Sequence, residues 1–169
     1  MMDRMKAYLD TCIVSDIHRD DGGNTADITR LLEIADTEPA RLTLVTSRKA
    51  GDEIQKYKGK YRRGVERAYL LLAKVPFIED QTLLGFHNHW GPMGGASCPM
   101  IEDDRIWLDL QRSGLDRDDA HHVMLAIRNA CDVFVTWDRK SILRWRTQVE
   151  LAYPIRLRTP TELVAELGE

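Results

Sequence analysis

The chain has 169 residues, 43% hydrophobic and 30% charged, which is enough for one domain built around one substantial core. Its 24 Lys and Arg against 27 Asp and Glu leave a formal net charge of −3, so no global basic field marks it for nucleic acid and any such site must be a local patch. Three cysteines (Cys12, Cys98 and Cys131) with no C-x-x-C pair argue against a disulfide framework and for a reducing cytoplasm, while the charged start and the short apolar runs argue against a signal core and a membrane span.

In chain order, Lys6 to Val14 reads as a buried strand with a polar interruption, and Asp10 falls where a strand should give way to a loop. Asp16 to Asn24, with its paired glycines, is a turn signal. Thr25 to Ala35 carries Ile28, Leu31, Leu32 and Ala35 at helical spacing, and Arg41 to Ser47 alternates like a second strand. Lys49 to Ala73 is helix-like with weak points at Gly59 and Gly64, and Val75 to Ile78 reads as a short extended segment. The stretch Phe86 to Pro99, rich in Gly, Pro and His, reads as a long loop or insertion near 81–101. Ile101 to Gln111 resumes helical spacing. Asp116 to Ala130 predicts a helix with Asp in its first turn, and Asp132 to Thr136 is the most strand-like run. Ile155 to Leu157 predicts a last strand, and Thr159-Pro-Thr-Glu162 fits a capping box with Pro at the first helical position. Alternating strands and helices predict a three-layer α/β/α sandwich around a central parallel sheet, in a single domain.

Acidic residues recur at the places where such a sheet binds ligands. Asp10 ends the first strand, Asp138 follows the strongest later one, and Asp119 opens a helix; Glu53 lies about two turns into the helix after the second strand. Acids from separate segments meeting in one crevice repel one another unless cations fill it. Carboxylate oxygens suit Mg²⁺ or Mn²⁺, the ions of phosphodiester hydrolysis. For Asp116, Asp118 and Asp119 the structural alternative is helix capping and dipole stabilisation.

The wording around these acids resembles a known family. Tyr8-Leu-Asp-Thr11 resembles the opening motif of PIN-domain nucleases, and Ser47 to Glu53 resembles their second block, with Asp52 equally acidic beside Glu53. Asp119-Ala-His-His-Val123 resembles the family's third motif, Cys131-Asp-Val-Phe-Val-Thr-Trp-Asp138 its late strand, and Ile155 to Pro160 its closing strand and helix start. The resemblance implies a PIN-like fold and a cytoplasmic, metal-dependent endoribonuclease. Asp10, Glu53, Asp119 and Asp138 would hold one or two Mg²⁺ or Mn²⁺ ions, with Thr136 beside them and Asp132 as a further acid or a cap at the start of its strand. It also implies a possible toxin role with an antitoxin partner, and a homodimer. Two departures stand out: Cys12 replaces the usual polar residue after the Asp-Thr pair, and the 81–101 segment exceeds small PIN toxins.

Other features have competing readings. Lys56, Lys58, Lys60, Arg62 and Arg63 form a basic run with Tyr57 and Tyr61 interleaved, either an RNA contact or a solvated helix face. His87, His89 and Cys98 lack the spacing and the fourth ligand of a zinc site. His121 and His122 suit the core or the surface, with a substrate contact as the alternative. Trp90, Trp107, Trp137 and Trp145 suit packing, with Trp137 placed to border the cleft. A phosphotransferase of the haloacid-dehalogenase type needs a second Asp where Cys12 stands, and a receiver domain needs paired acids at the first strand and a Lys after the last. A PIN-like module that binds RNA or protein without cutting is the remaining alternative; loss of acids would mark it, and all four are present.

Overall fold

The protein's structure, a computed structural model, describes residues 4–16, 24–47, 50, 77–78 and 104–168. The basic run 56–63, Glu53, the histidines at 87 and 89, Cys98 and the 81–101 insertion lie outside the described residues.

Five strands form one sheet in the order β3-β2-β1-β4-β5, with every neighbouring pair parallel: β1 (Met5–Leu9), β2 (Leu42–Ser47), β3 (Phe77–Ile78), β4 (Val133–Val135) and β5 (Arg156–Arg158). Around it lie α1 (Thr11–Asp16), α2 (Asn24–Thr37), α3 (Arg105–Arg112), α4 (Arg117–Arg128), α5 (Arg146–Ala152) and α6 (Pro160–Glu166). The period-2 alternation of β1 and β4 divides the core into two layers. Ala7, Leu9, Val133 and Val135 pack with Ile28, Leu31 and Ile34 of α2 and Leu163 of α6. Tyr8 and Phe134 face the other way, onto Trp107 and Leu110 of α3 and Val123 and Met124 of α4. The expected three-layer arrangement with a central parallel sheet is therefore the observed one.

One local expectation needs correction. The strand expected over Lys6 to Val14 ends at Leu9, and Cys12 and Ile13 belong to α1. The apolar run misleads because Ile13 is fully buried from a helix rather than a strand; its N–H turns back to the Asp10 carbonyl at 3.1 Å. No periodic signal marks α5, whose seven residues bury only Val149.

The helix ends follow sequence chemistry closely. Asp116 caps α4, accepting the N–H groups of Asp118 and Asp119 at 3.0 and 2.9 Å. Thr159 and Glu162 exchange side-chain and backbone bonds across the start of α6, with Pro160 just inside it. The other end of α4 departs from the usual chemistry. Ala130 N–H bonds to the Ile127 carbonyl and Cys131 N–H to the Ala126 carbonyl, each at 3.0 Å, a Schellman closure whose left-handed position is filled by Ala130 at φ 51°. Glycine is the residue that adopts this conformation without penalty. Ala130→Gly is expected to stabilise the fold by roughly 0.5–1 kcal/mol in thermal unfolding, and an unchanged or lower melting temperature would contradict that reading.

Candidate active site

The strand order places a topological switch between β1 and β4. From β1 the chain passes to β2 and β3 on one side, then returns to β4 and β5 on the other. Connections diverge there, and in open parallel sheets this is the place where ligands bind, in a crevice beyond the strands' carboxyl ends. Leu9 is paired with Val135 across these strands, so the residues that follow, Asp10 and Thr136, are neighbours at the crevice floor.

Asp10 is tied down on every side. Its N–H bonds to the Val135 carbonyl at 3.1 Å. One carboxylate oxygen accepts the Thr11 N–H at 2.7 Å, and the other accepts the Thr136 hydroxyl at 2.7 Å. The residue is 6% exposed. Thr136, fully buried, also accepts the Asp138 N–H on its hydroxyl oxygen at 3.0 Å, so one side chain fixes both acids. Cys12 Sγ stands 3.1 Å from Asp10 and 3.2 Å from Thr136. Burial and the Asp10 charge push this thiol well above its ordinary range, so it stays neutral beside the acids.

Asp138 holds the turn that follows it. Its carboxylate accepts the N–H of Lys140 at 2.9 Å and of Ser141 at 2.7 Å, together with the Ser141 hydroxyl. Partial burial pushes this carboxyl up, but those bonds, with one from the Ile142 N–H, outweigh it and hold the group below the usual range. The turn leaves Arg139 and Lys140 exposed at the rim.

Asp119 is the opposite case. It sits in the first turn of α4, within electrostatic reach of Asp10 and Asp138. Burial, then the charges of Asp116, Asp10 and Asp138, push its carboxyl up to about 6, against a bond from Ser141 that favours the ionised form. Its Oδ2 is buried with no hydrogen-bond partner. A buried carboxylate oxygen facing other acids, itself unsatisfied, is a position that a cation would complete. The donors are all hard oxygens, which fits Mg²⁺ or Mn²⁺. Among the described residues, no three His, Cys, Asp or Glu side chains form a ligand cluster by themselves.

Thr136 is bonded to both Asp10 and Asp138, and Asp119 lies within electrostatic reach of both acids. Asp132 is not with them. It precedes β4 at the sheet's opposite edge, where its carboxylate accepts the Lys6 N–H at 2.7 Å and pins the start of β1. Ser141 is the site residue that sequence reasoning missed; its position three after Asp138 is the spacing of a side-chain-capped turn, which was the available signal.

The fold and its edge of acids define a class: an α/β protein with a carboxylate-lined crevice at the switch point of a parallel sheet. The chain is similar to one from the crystal structure of VapBC2 from Rickettsia felis bound to a DNA fragment from its promoter, with a TM-score of 0.55 and 14% identity over 92% of this chain and 98% of that one. No profile of a known family matches the sequence, and no curated protein matches it. Among the described residues, no helix is long and apolar enough to cross a membrane.

Proposed function

We propose that this protein is a PIN-like nuclease that hydrolyses RNA phosphodiester bonds endonucleolytically with Mg²⁺ or Mn²⁺. The observation that carries the reading is that Asp119 lies within electrostatic reach of Asp10 and Asp138, with its Oδ2 buried and unpartnered. Asp10 and Asp119 would hold the ion, with Asp138 and Glu53 completing its surroundings, in part through water as Mg²⁺ ordinarily requires. The ion supplies Lewis-acid activation for attack on the phosphate. Thr136 keeps Asp10 and Asp138 aligned, and the neutral Cys12 thiol adds no competing charge.

Arg139 and Lys140 at the rim would meet the phosphates of a bound strand, and the run Lys56, Lys58, Lys60, Arg62 and Arg63 would extend that contact. The resemblance to PIN nucleases implies a toxin role in the cytoplasm and a homodimer as the assembled form, and the likeness to a chain of a VapBC2 complex supports an antitoxin as protein partner. A PIN-like module that binds RNA without cutting is the competing reading.

One assay separates the two. Single-stranded RNA labelled at one end is incubated with the purified chain in Mg²⁺, in Mn²⁺ and in EDTA. Internal cleavage that needs the divalent ion is expected. Cleavage surviving in EDTA rules out the proposed chemistry, and RNA binding with no cleavage in either ion establishes the binding module instead.

A further inference from the structure

Beneath the crevice floor, a buried chain of polar side chains joins the segments that carry the acids. The Tyr8 hydroxyl donates to Ser47 Oγ at 2.7 Å and lies 2.8 Å from His122 Nδ1. Ser47 Oγ also accepts the N–H of Ala50 at 3.2 Å. Tyr8, Ser47 and His122 are 0%, 1% and 3% exposed. With the phenol proton on Ser47, His122 Nδ1 supplies the proton of the second bond.

Tyr8 and His122 each stand a short way along the chain from an acid. Tyr8 lies in β1 two positions before Asp10, which follows the strand's end, and His122 follows Asp119 by three positions, almost one turn along α4. Ser47 ends β2 and holds the N–H of Ala50, at the start of the segment that leads to Glu53. Packing alone does not require these groups. The surrounding layer is apolar, Tyr8 stacks on Phe134 at 5.2 Å between centroids, and a Phe–Leu–Ala set would fill the same volume. Apolar contacts are non-directional and leave α4 free to settle against the sheet in several registers. The Tyr8–His122 bond fixes the height of α4 relative to β1, and with it the separation of Asp119 from Asp10, while the Tyr8–Ser47 bond ties β1 to the end of β2.

We propose that Tyr8, Ser47 and His122 are positioning residues that set the geometry of the cation site. This rests on the divalent-cation reading above. The test is Mn²⁺ binding measured by electron paramagnetic resonance, with circular dichroism and melting curves on the same samples. Tyr8→Phe, which removes one oxygen, and His122→Leu are expected to weaken Mn²⁺ binding about 10-fold or more, the loss typical of groups that support a ligand. His122→Asn, which returns a donor near the Nδ1 position, is expected to recover most of it. Folded Tyr8→Phe and His122→Leu proteins that bind Mn²⁺ as tightly as the native chain overturn the network's role, however much their melting temperatures fall. Ser47→Ala supplies a third folded variant if His122→Leu does not fold. A native chain that binds no Mn²⁺ overturns the cation reading as well, so the two failures are distinct.

Discussion

Asp119→Asn is expected to abolish divalent-dependent cleavage and, in the same protein, to raise the melting temperature of the metal-free form. The two effects have one cause. Burial and the charges of Asp116, Asp10 and Asp138 raise the Asp119 carboxyl to about 6 from the ordinary 3.8. A carboxyl raised on folding is protonated more readily in the folded protein than in the unfolded chain. Its contribution is therefore most favourable below pH 4 and is lost as pH rises from about 4 through about 6. At neutral pH the folded protein carries an uncompensated charge there, and an amide of the same shape does not. With partial exposure screening the effect, the gain is about 1–2 kcal/mol, or roughly 3–6 °C for a chain of this size. If the proposed site holds Mg²⁺ or Mn²⁺, the native protein is expected to recover that stability on adding the ion, because an ion attached only to the folded state shifts the equilibrium toward it. The Asn variant loses that response. Its activity should fall by more than the 10–100-fold that is about the usual cost of losing a supporting group. Scanning calorimetry in EDTA, repeated with added Mn²⁺, reads both. An Asn variant that melts lower in EDTA and still cuts RNA would remove Asp119 from the cation site.

Gly114→Ala is expected to be the most destabilising single-methyl change in the described structure. Gly114 lies between α3 and α4 at φ +112°, outside the region that side-chain-bearing residues adopt. A Cβ built there would stand 2.3, 2.5 and 2.6 Å from three atoms of the Trp145 ring. That ring is packed into the second core layer and carries the Arg144 guanidinium 4.7 Å above it, so it has little room to withdraw. Backbone strain and overpacking act together, and a loss of about 3 kcal/mol or more follows, which is roughly 10 °C in melting temperature. Activity should fall as well. Gly114 precedes α4, which bears Asp119, and packs against Trp145 in the segment after Asp138, so a shift there is expected to disturb both acids. A melting temperature within two or three degrees of the native value would show that the ring moves aside freely.

Much of the fold was readable because it depends on local chemistry. Period-2 alternation marked Arg41 to Ser47, helical spacing marked α2 and α4, and Thr159-Pro-Thr-Glu162 marked the start of α6. Asp10 and Asp138 could be placed at strand ends for the same reason. The misreadings have a common source. Cys12 and Ile13 carry residue types that suit a strand, and what makes them helical is the turn at Asp10 held by β4, which lies far along the chain. Asp132 and Asp138 look equivalent in sequence as acids flanking one strand. Only the direction of β4 in the sheet sends Asp138 to the crevice and Asp132 to the opposite edge.

The amino-acid sequence by itself determined the alternating elements, the parallel α/β/α layering and the residue types that stand at the sheet's carboxyl edge, since propensity, periodicity and capping act over a few neighbouring positions. Tertiary structure alone decided which acids meet, that Thr136 bonds to Asp10 across 126 positions, and that His122 reaches Tyr8 across 114. Those pairings arise from strand order and helix seating, which no short stretch of chain encodes, and the raised Asp119 carboxyl exists only where they bring like charges together out of water.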